Sequence, residues 1–197
     1  MRIKIKILIF IAIVFFPSHI VNAKETWVLD KELSTITFEM PVFLAKNIKG
    51  EVKEIKGLVE IDLDKKENNK AVFSVNINSI KMNYNKYRGL LLSNIFFYEK
   101  RFPIALIDTK KFSYENEQVI ELVVELNIKG IKHNIPIKLE IIRLAEELVQ
   151  IKSNLIFSRT AYQIGVGKWS STAILKDKVR IDTNIFLFKN SNSSSDI

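Results

Sequence analysis

Side chains able to do covalent or metal chemistry are few in this sequence, and they are scattered. It has no cysteine, which removes thiolate metal sites, a cysteine nucleophile, a disulfide scaffold and a cysteine-linked lipid anchor. Of its two histidines, His19 lies in an apolar N-terminal segment and His133 beside a glycine turn at Gly130. A single histidine makes a poor zinc site, since zinc takes three or four protein ligands. His133 therefore reads as turn-exposed or packed. Serine and aspartate are plentiful, so counting does not exclude a Ser–His–Asp arrangement. The sequence carries no nucleophile elbow, no P-loop and no dinucleotide fingerprint. Asp62 and Asp64 fall at a polar strand end and turn, and read as solvated rather than tuned for acid–base work. The chemistry that is left is desolvation by apolar faces.

Those faces come from alternation. Ala71, Phe73, Val75 and Ile77 share one side of a strand, with Ser74, Asn76 and Asn78 opposite. Ile120, Leu122, Val124, Leu126 and Ile128 form a longer run, and Ile135, Ile137, Leu139 and Ile141 repeat it. Val149, Ile151, Leu155 and Phe157, then Val179, Ile181, Ile185 and Leu187, complete the series. A period of two with one wet side predicts antiparallel sheet. Polar breaks at Lys65–Asn69, Glu115–Gln118, Glu146–Glu147 and Lys176–Lys178 predict turns, and Gly130–Asn134 a hairpin connection. Tyr84–Ile95 has helical spacing, weakened at Gly89 by roughly 1 kcal/mol. Seven to nine strands with one apolar side form a sandwich or a closed barrel, and the long strands favour the barrel.

The N-terminus reads as an address. Arg2, Lys4 and Lys6 precede an unbroken apolar run, Ile7–Phe16, and Pro17–Ser18 ends it. With Val21 and Ala23 at the positions a signal peptidase reads, residues 1–23 are expected to be a cleaved secretory signal peptide. The run reaches about 15 Å as a helix, half of a roughly 30 Å hydrocarbon core, so a retained anchor is the lesser reading. Of the 30 Lys and Arg against 22 Asp and Glu, three cations lie in this segment, which leaves +5 for the remainder. That mild charge reads as solvated faces, permits transient contact with an anionic membrane surface, and argues against nucleic acid. The Ser- and Asn-rich residues 190–197 are expected to be a flexible tail. No repeat or linker divides residues 24–189.

Several residues in order resemble the YceI-like family of secreted bacterial proteins. They are Trp27, Leu29 and Asp30; Ser34, Ile36 and Phe38; Gly50 and Gly57 bracketing a strand; and Ser79–Ile80. Arg88, Leu91 and Ser93 follow, then Phe96–Phe97, Phe102–Pro103 and Leu126–Ile131. Ser158–Arg159–Thr160 with Tyr162, Ile164 and Gly165 come last. The resemblance spans Trp27 to about Phe188. Gly89 and Gln163 depart from the family pattern. The resemblance implies an all-β fold, an extended lipocalin-like antiparallel eight-stranded β-barrel with a short helix near one end. It also implies a periplasmic, often dimeric, non-enzymatic protein that requires no cofactor and no metal. Its tunnel-like lumen would bind a membrane-derived amphiphile: a polyisoprenoid, an isoprenoid quinone or a fatty-acid-like lipid. A filled-core protein acting through its surface, and a lipid-modifying enzyme, are the rival readings.

The inward residues Phe38, Phe73, Val75, Ile77, Leu122, Val124, Leu126, Ile137, Leu139, Leu155 and Phe157 read as packed core from patterning alone. Under the resemblance they are the expected lumen wall. Leu91, with Leu90 and Leu92, suits a lid or a dimer contact. Phe96, Phe97 and Phe102 suit a plug over the barrel end or a gate. Arg159 is in phase with Leu155 and Phe157, so it is expected to point inward near one end. A buried guanidinium must be paired, either as a structural clamp or as a ligand headgroup partner alongside Tyr162, Trp169 and Arg88.

Overall fold

The computed structural model describes residues 24–190; the expected signal segment, and the tail from residue 191 onward, lie outside the described residues. The strands are β1 (Lys24–Leu29), β2 (Thr35–Met40), β3 (Ile48–Val52), β4 (Ile55–Asp62), β5 (Asn69–Asn76) and β6 (Lys81–Met82). After a short helix, α1 (Arg88–Leu92), come β7 (Ile104–Phe112), β8 (Val119–Ile128), β9 (Ile131–Ala145), β10 (Leu148–Ser158) and β11 (Lys178–Lys189). Every pairing is antiparallel. Eight strands run in the order β1-β4-β5-β7-β8-β9-β10-β11, and the ring closes where Trp27–Leu29 pairs with Leu187–Lys189. The other half of β11, Arg180–Asn184, pairs with β2, which continues into β3 and β6. β1 and β2 thus lie end to end along one partner. The break between them is a turn in which the Asp30 carboxylate accepts from the Glu32 and Leu33 amides at 2.8 and 2.9 Å.

The alternation seen in sequence sets the inside of this barrel. Val124, Leu126, Ile128, Leu155, Phe157 and Val179 are all buried. Gly50 and Gly57 lie within β3 and β4 rather than bracketing a strand. Each faces a phenylalanine, Phe38 and Phe73 respectively, across the ladder. A Cβ at either glycine would fall 2.3 Å from a ring carbon, so these rings cover bare backbone.

Four local expectations shift. The hairpin at Gly130 is tighter than Gly130–Asn134. Lys129 and Gly130 take φ of 55° and 75°, the two-residue turn that matches strand twist, and β9 begins at Ile131. The helix is one turn, Arg88–Leu92, preceded by a 3₁₀ turn at Asn85–Tyr87, because no side chain caps its start and Gly89 sits in it. Ile77 leaves the strand for a 3₁₀ turn whose start is capped by Asn76, yet stays buried. Asn190 is tied in, its amide donating to the Thr26 carbonyl at 2.7 Å.

Arg159 fastens the barrel end beside α1. It is fully buried, and its donors all meet backbone carbonyls. Nε donates to Lys176 at 3.0 Å, Nη1 to Ile164 at 2.9 Å and Gly165 at 3.4 Å, and Nη2 to Leu175 at 2.8 Å and Ser171 at 3.0 Å. One side chain thereby organises the whole 160–177 loop. Asp177 secures its base, accepting from Ser158 Oγ at 2.9 Å and from the Thr160 amide at 3.1 Å.

Asp62 is buried rather than solvated. Its Oδ1 accepts from the Lys65 and Asp64 amides at 2.9 and 3.1 Å, closing the β4–β5 turn. The Lys65 amide is the main reason its carboxyl is held below the ordinary carboxylate range, against the opposing effect of burial.

Two outcomes are expected. Arg159→Lys keeps the charge but replaces five forked donors with three on a flexible stem, leaving buried carbonyls unpaired. Urea unfolding at pH 7 should show a loss of about 2–4 kcal/mol. For Asp62 the depressed pKa means its contribution is complete above the unfolded-state value of about 4 and is lost as pH falls through the lower folded value. Asp62→Asn should therefore destabilise at pH 7, with the gap to the unsubstituted protein closing as pH falls below the unfolded-state value of about 4 and through the lower folded value. A gap independent of pH would contradict the assignment.

Candidate functional site

At the end of the barrel away from α1, the eight strands enclose an apolar cavity of about 220 Å³. Each strand contributes inward residues: Trp27 (β1), Val59 and Ile61 (β4), Ala71 and Phe73 (β5), Ile107 (β7), Ile120 and Leu122 (β8), Ile137, Leu139 and Ile141 (β9), Val149 and Ile151 (β10), Ile185 and Leu187 (β11). Ile36 of β2 also reaches it. Polar atoms on the wall are internally matched. Ser153 Oγ and Thr183 Oγ1 bond each other at 2.7 Å, and Thr109 Oγ1 accepts from the Ala71 amide at 2.8 Å. Among the described residues no buried side-chain nitrogen or oxygen lacks a partner. The wall therefore presents a guest with mostly apolar side chains and a few hydroxyls that already have partners, so desolvation dominates.

The rim is different. Glu25, Leu63, Tyr114, Asn116 and Arg143 surround the opening. Glu25 bonds Lys189, and the Arg143 guanidinium carbon lies 6.0 Å from the centre of the Trp27 ring. Burial raises the Tyr114 phenol, only partly offset by Arg143, so it remains a neutral donor. Hydrogen-bond donors and charges of both signs thus ring an apolar shaft.

Beyond the cavity the barrel is filled. Val124, Leu126, Leu155 and Phe157 are buried, with Ile77 beside them and Phe38 and Val75 packed against the same core. Tyr162 is buried edge-on to Phe157, and its hydroxyl donates to the Leu126 carbonyl at 3.2 Å. Burial pushes that phenol up to about 12, so it stays protonated. At the α1 end a second cavity of about 410 Å³ lies among Met40, Met82, Leu91, Phe96, Trp169 and Leu175.

Of the residues singled out in sequence, Phe73, Leu122, Ile137 and Leu139 wall the open lumen. Phe38, Val75, Ile77, Val124, Leu126, Leu155 and Phe157 lie in the filled part. Leu91 and Phe96 line the second cavity, and Phe97 packs on the core. Phe102 sits beneath the Gly130 turn, edge-on to Tyr98. The polar group expected around Arg159 is not assembled. Arg159 is spent on carbonyls, Arg88 donates to the Asn78 carbonyl and side chain, and Trp169 packs against Phe96. His133 Nε2 lies 3.3 Å from the Ala161 carbonyl. Among the described residues no group of three metal-ligating side chains forms. Sequence reading missed Trp27, Ile61, Ile107 and the rim residues Tyr114 and Arg143. Arg143 was within reach, since it continues the inward phase of Leu139 and Ile141.

Comparison with known proteins agrees with this architecture. None of the curated protein sequences matches the chain. Among solved structures, BcnA from Burkholderia cenocepacia superposes with a TM-score of 0.72 at 18% identity, covering 80% of this chain and 98% of that one. A polyisoprenoid binding domain from Saccharophagus degradans, implicated in plant cell wall breakdown, gives 0.69 at 14% identity, covering 83% and 98%. A Campylobacter jejuni YCEI protein gives 0.66 at 19%, covering 77% and 90%. At these identities the likeness speaks for the fold. The YceI-like domain model matches residues 27–187, from the first closing strand to the last, and the chain belongs to the YceI-like family.

Proposed function

We propose that the protein is a non-catalytic carrier that holds the apolar tail of a long-chain amphiphile, an isoprenoid or fatty-acid-like lipid, in the lumen at the Trp27–Arg143 end. The observation behind this reading is a shaft with no unmatched polar atom at depth and a polar rim. That the similar Saccharophagus degradans structure is a polyisoprenoid binding domain supports the same class of guest. Each tail methylene taken from water contributes roughly 0.8 kcal/mol. The volume lies below the roughly 300–1,000 Å³ of pockets for drug-sized ligands, so a slender chain enters end-on and a ring or headgroup stays at the rim. There Arg143, Tyr114 and Asn116 replace Arg159 as the headgroup partners. The N-terminal segment directs the chain to the periplasm, where an exposed lipid tail needs such shelter.

Gentle mass measurement of the intact protein from a quinone-producing host should show a bound lipid at one copy per chain. A ligand that binds only the folded barrel, present at about 100 times its Kd, adds about 2.7 kcal/mol, or about 5–10 °C in Tm for a chain of this size. Leu122→Trp fills the shaft and should abolish both the bound mass and the shift. Val123→Trp, on the outer face, should keep both. A bare mass and an unmoved Tm with quinones and fatty acids alike would point instead to a protein that works through its surface.

A further inference from the structure

The end of the barrel beside α1 has a surface that the lumen does not explain. Leu44 and Ile174, 90% and 64% exposed, are the two most exposed large hydrophobic side chains among the described residues, and Phe43 beside them is 56% exposed. They are not on loose ends. Val42 and Leu175 form a bridge, the Phe43 amide donates to the Ile174 carbonyl at 2.8 Å, and the Lys176 amide donates to the Pro41 carbonyl at 3.0 Å. Lys176 Nζ lies 5.0 Å from the centre of the Phe43 ring. Leu44 holds φ of +54°, a left-handed conformation that glycine or asparagine takes at lower cost. Two stitched loops thus present three large apolar side chains to solvent.

The charge around them has one sign. Segments 41–47, 84–92 and 166–176 contain Lys46, Lys86, Arg88, Lys168 and Lys176, and no Asp or Glu. All three segments line the second cavity, so they are neighbours in space. The acids nearest along the chain border these segments: Glu39 accepts from Asn47 and pairs with Lys49, Asp177 is bonded by Ser158 and Thr160, and Glu99 follows α1, its amide donating to the Leu92 carbonyl at 3.0 Å. Tyr84, Tyr87 and Trp169 sit around the same cavity, side chains suited to the boundary between headgroups and water. Elsewhere on the barrel, exposed apolar residues such as Val123 and Ile156 stand on outer strand faces and need no partner.

We infer that this end docks on an anionic lipid bilayer, with Phe43, Leu44 and Ile174 entering the headgroup boundary and Lys46, Lys86 and Lys168 meeting lipid phosphates. The inference does not rest on what the lumen holds. Exposed apolar tips supply burial, and three cationic segments, whose bordering Glu39 is already paired with Lys49, supply attraction to a negative leaflet. No helix among the described residues is long and apolar enough to cross a membrane.

Flotation of the full exported protein with phosphatidylglycerol-rich vesicles tests it, with pure phosphatidylcholine vesicles beside it. Binding is expected to the first and not the second, and to weaken with salt. Leu44→Ser with Ile174→Ser, and separately Lys46→Glu with Lys86→Glu and Lys168→Glu, should each lower the partition coefficient about tenfold or more. Tm should not move, because these side chains are exposed. Lys138→Glu with Lys152→Glu, on the barrel wall, should change it little. Because the chain has no cysteine, Leu44→Cys can carry a single polarity-sensitive dye, whose emission should shift to the blue on phosphatidylglycerol vesicles. Equal losses for the wall and tip charges would overturn the inference, reducing it to net charge. An unshifted dye would do the same, as would tip variants that change only the oligomeric state, which would mark a contact between copies of the chain.

Discussion

Closure of the sheet rests on a short ladder, Trp27–Leu29 against Leu187–Lys189. Without it β1 and β11 would each offer an open edge, and the apolar face of eight strands would lie open to water. β11 makes this work by serving two partners, β2 along its first half and β1 along its last residues. The Asp30 turn lets the chain step from one to the other without leaving the β11 track. Because closure depends on β11, it also depends on what aims β11. The loop before it is gathered by Arg159, whose carbonyl partners run from Ile164 to Lys176. The clamp at one end and the closing ladder at the other hold the same strand.

Within the closed ring, side-chain size decides where space remains. Toward the α1 end the inward positions carry Val124, Leu126, Leu155, Phe157 and the Tyr162 ring, which interlock and are buried. Toward the other end several inward positions are small: Ala71, Thr109, Ser153 and Thr183. Eight strands give an interior that side chains just fill, so a few small residues in one layer open a shaft. The two hydroxyl pairings in that layer are internal, which keeps the shaft apolar although three of those four residues are polar.

That distribution explains how far the sequence could be read. Period-two alternation is a property of the strand, and it predicted β8, β9, β10 and β11 together with their inward faces. The same alternation is silent on whether an inward residue meets another side chain or empty space. Leu122 and Leu126 occupy equivalent positions on one strand, yet one borders the lumen and the other is packed. Their difference lies in the residues across the ring, Ala71 and Ser153 against Phe157 and Tyr162, and ring partners are fixed only by closure. Arg159 was legible as inward and paired. Its partners were not, because backbone carbonyls leave no trace in sequence. Asp62 was misread for the same reason: the amides of Asp64 and Lys65 that bury it belong to a turn, not a motif.

The two barrel ends are chemically unlike, and the filled middle keeps them apart. The lumen mouth carries both signs, Glu25 bonded to Lys189 with Arg143 over Trp27. The α1 end carries cations without acids in its three segments, and apolar tips. A protein oriented by the second end would turn the lumen mouth away from the bilayer and toward water. A guest held in the lumen would then leave or arrive on the aqueous side, across the rim that Arg143 and Tyr114 share. The second cavity, under Leu91 and Phe96, would face the lipid instead. Passage between the two requires Leu126, Leu155 and Phe157 to move together, because each is packed against the others' layer. On the two proposals above, the fold would separate where the barrel attaches from where its guest is exchanged, with the same packed layer that fills the middle of the barrel.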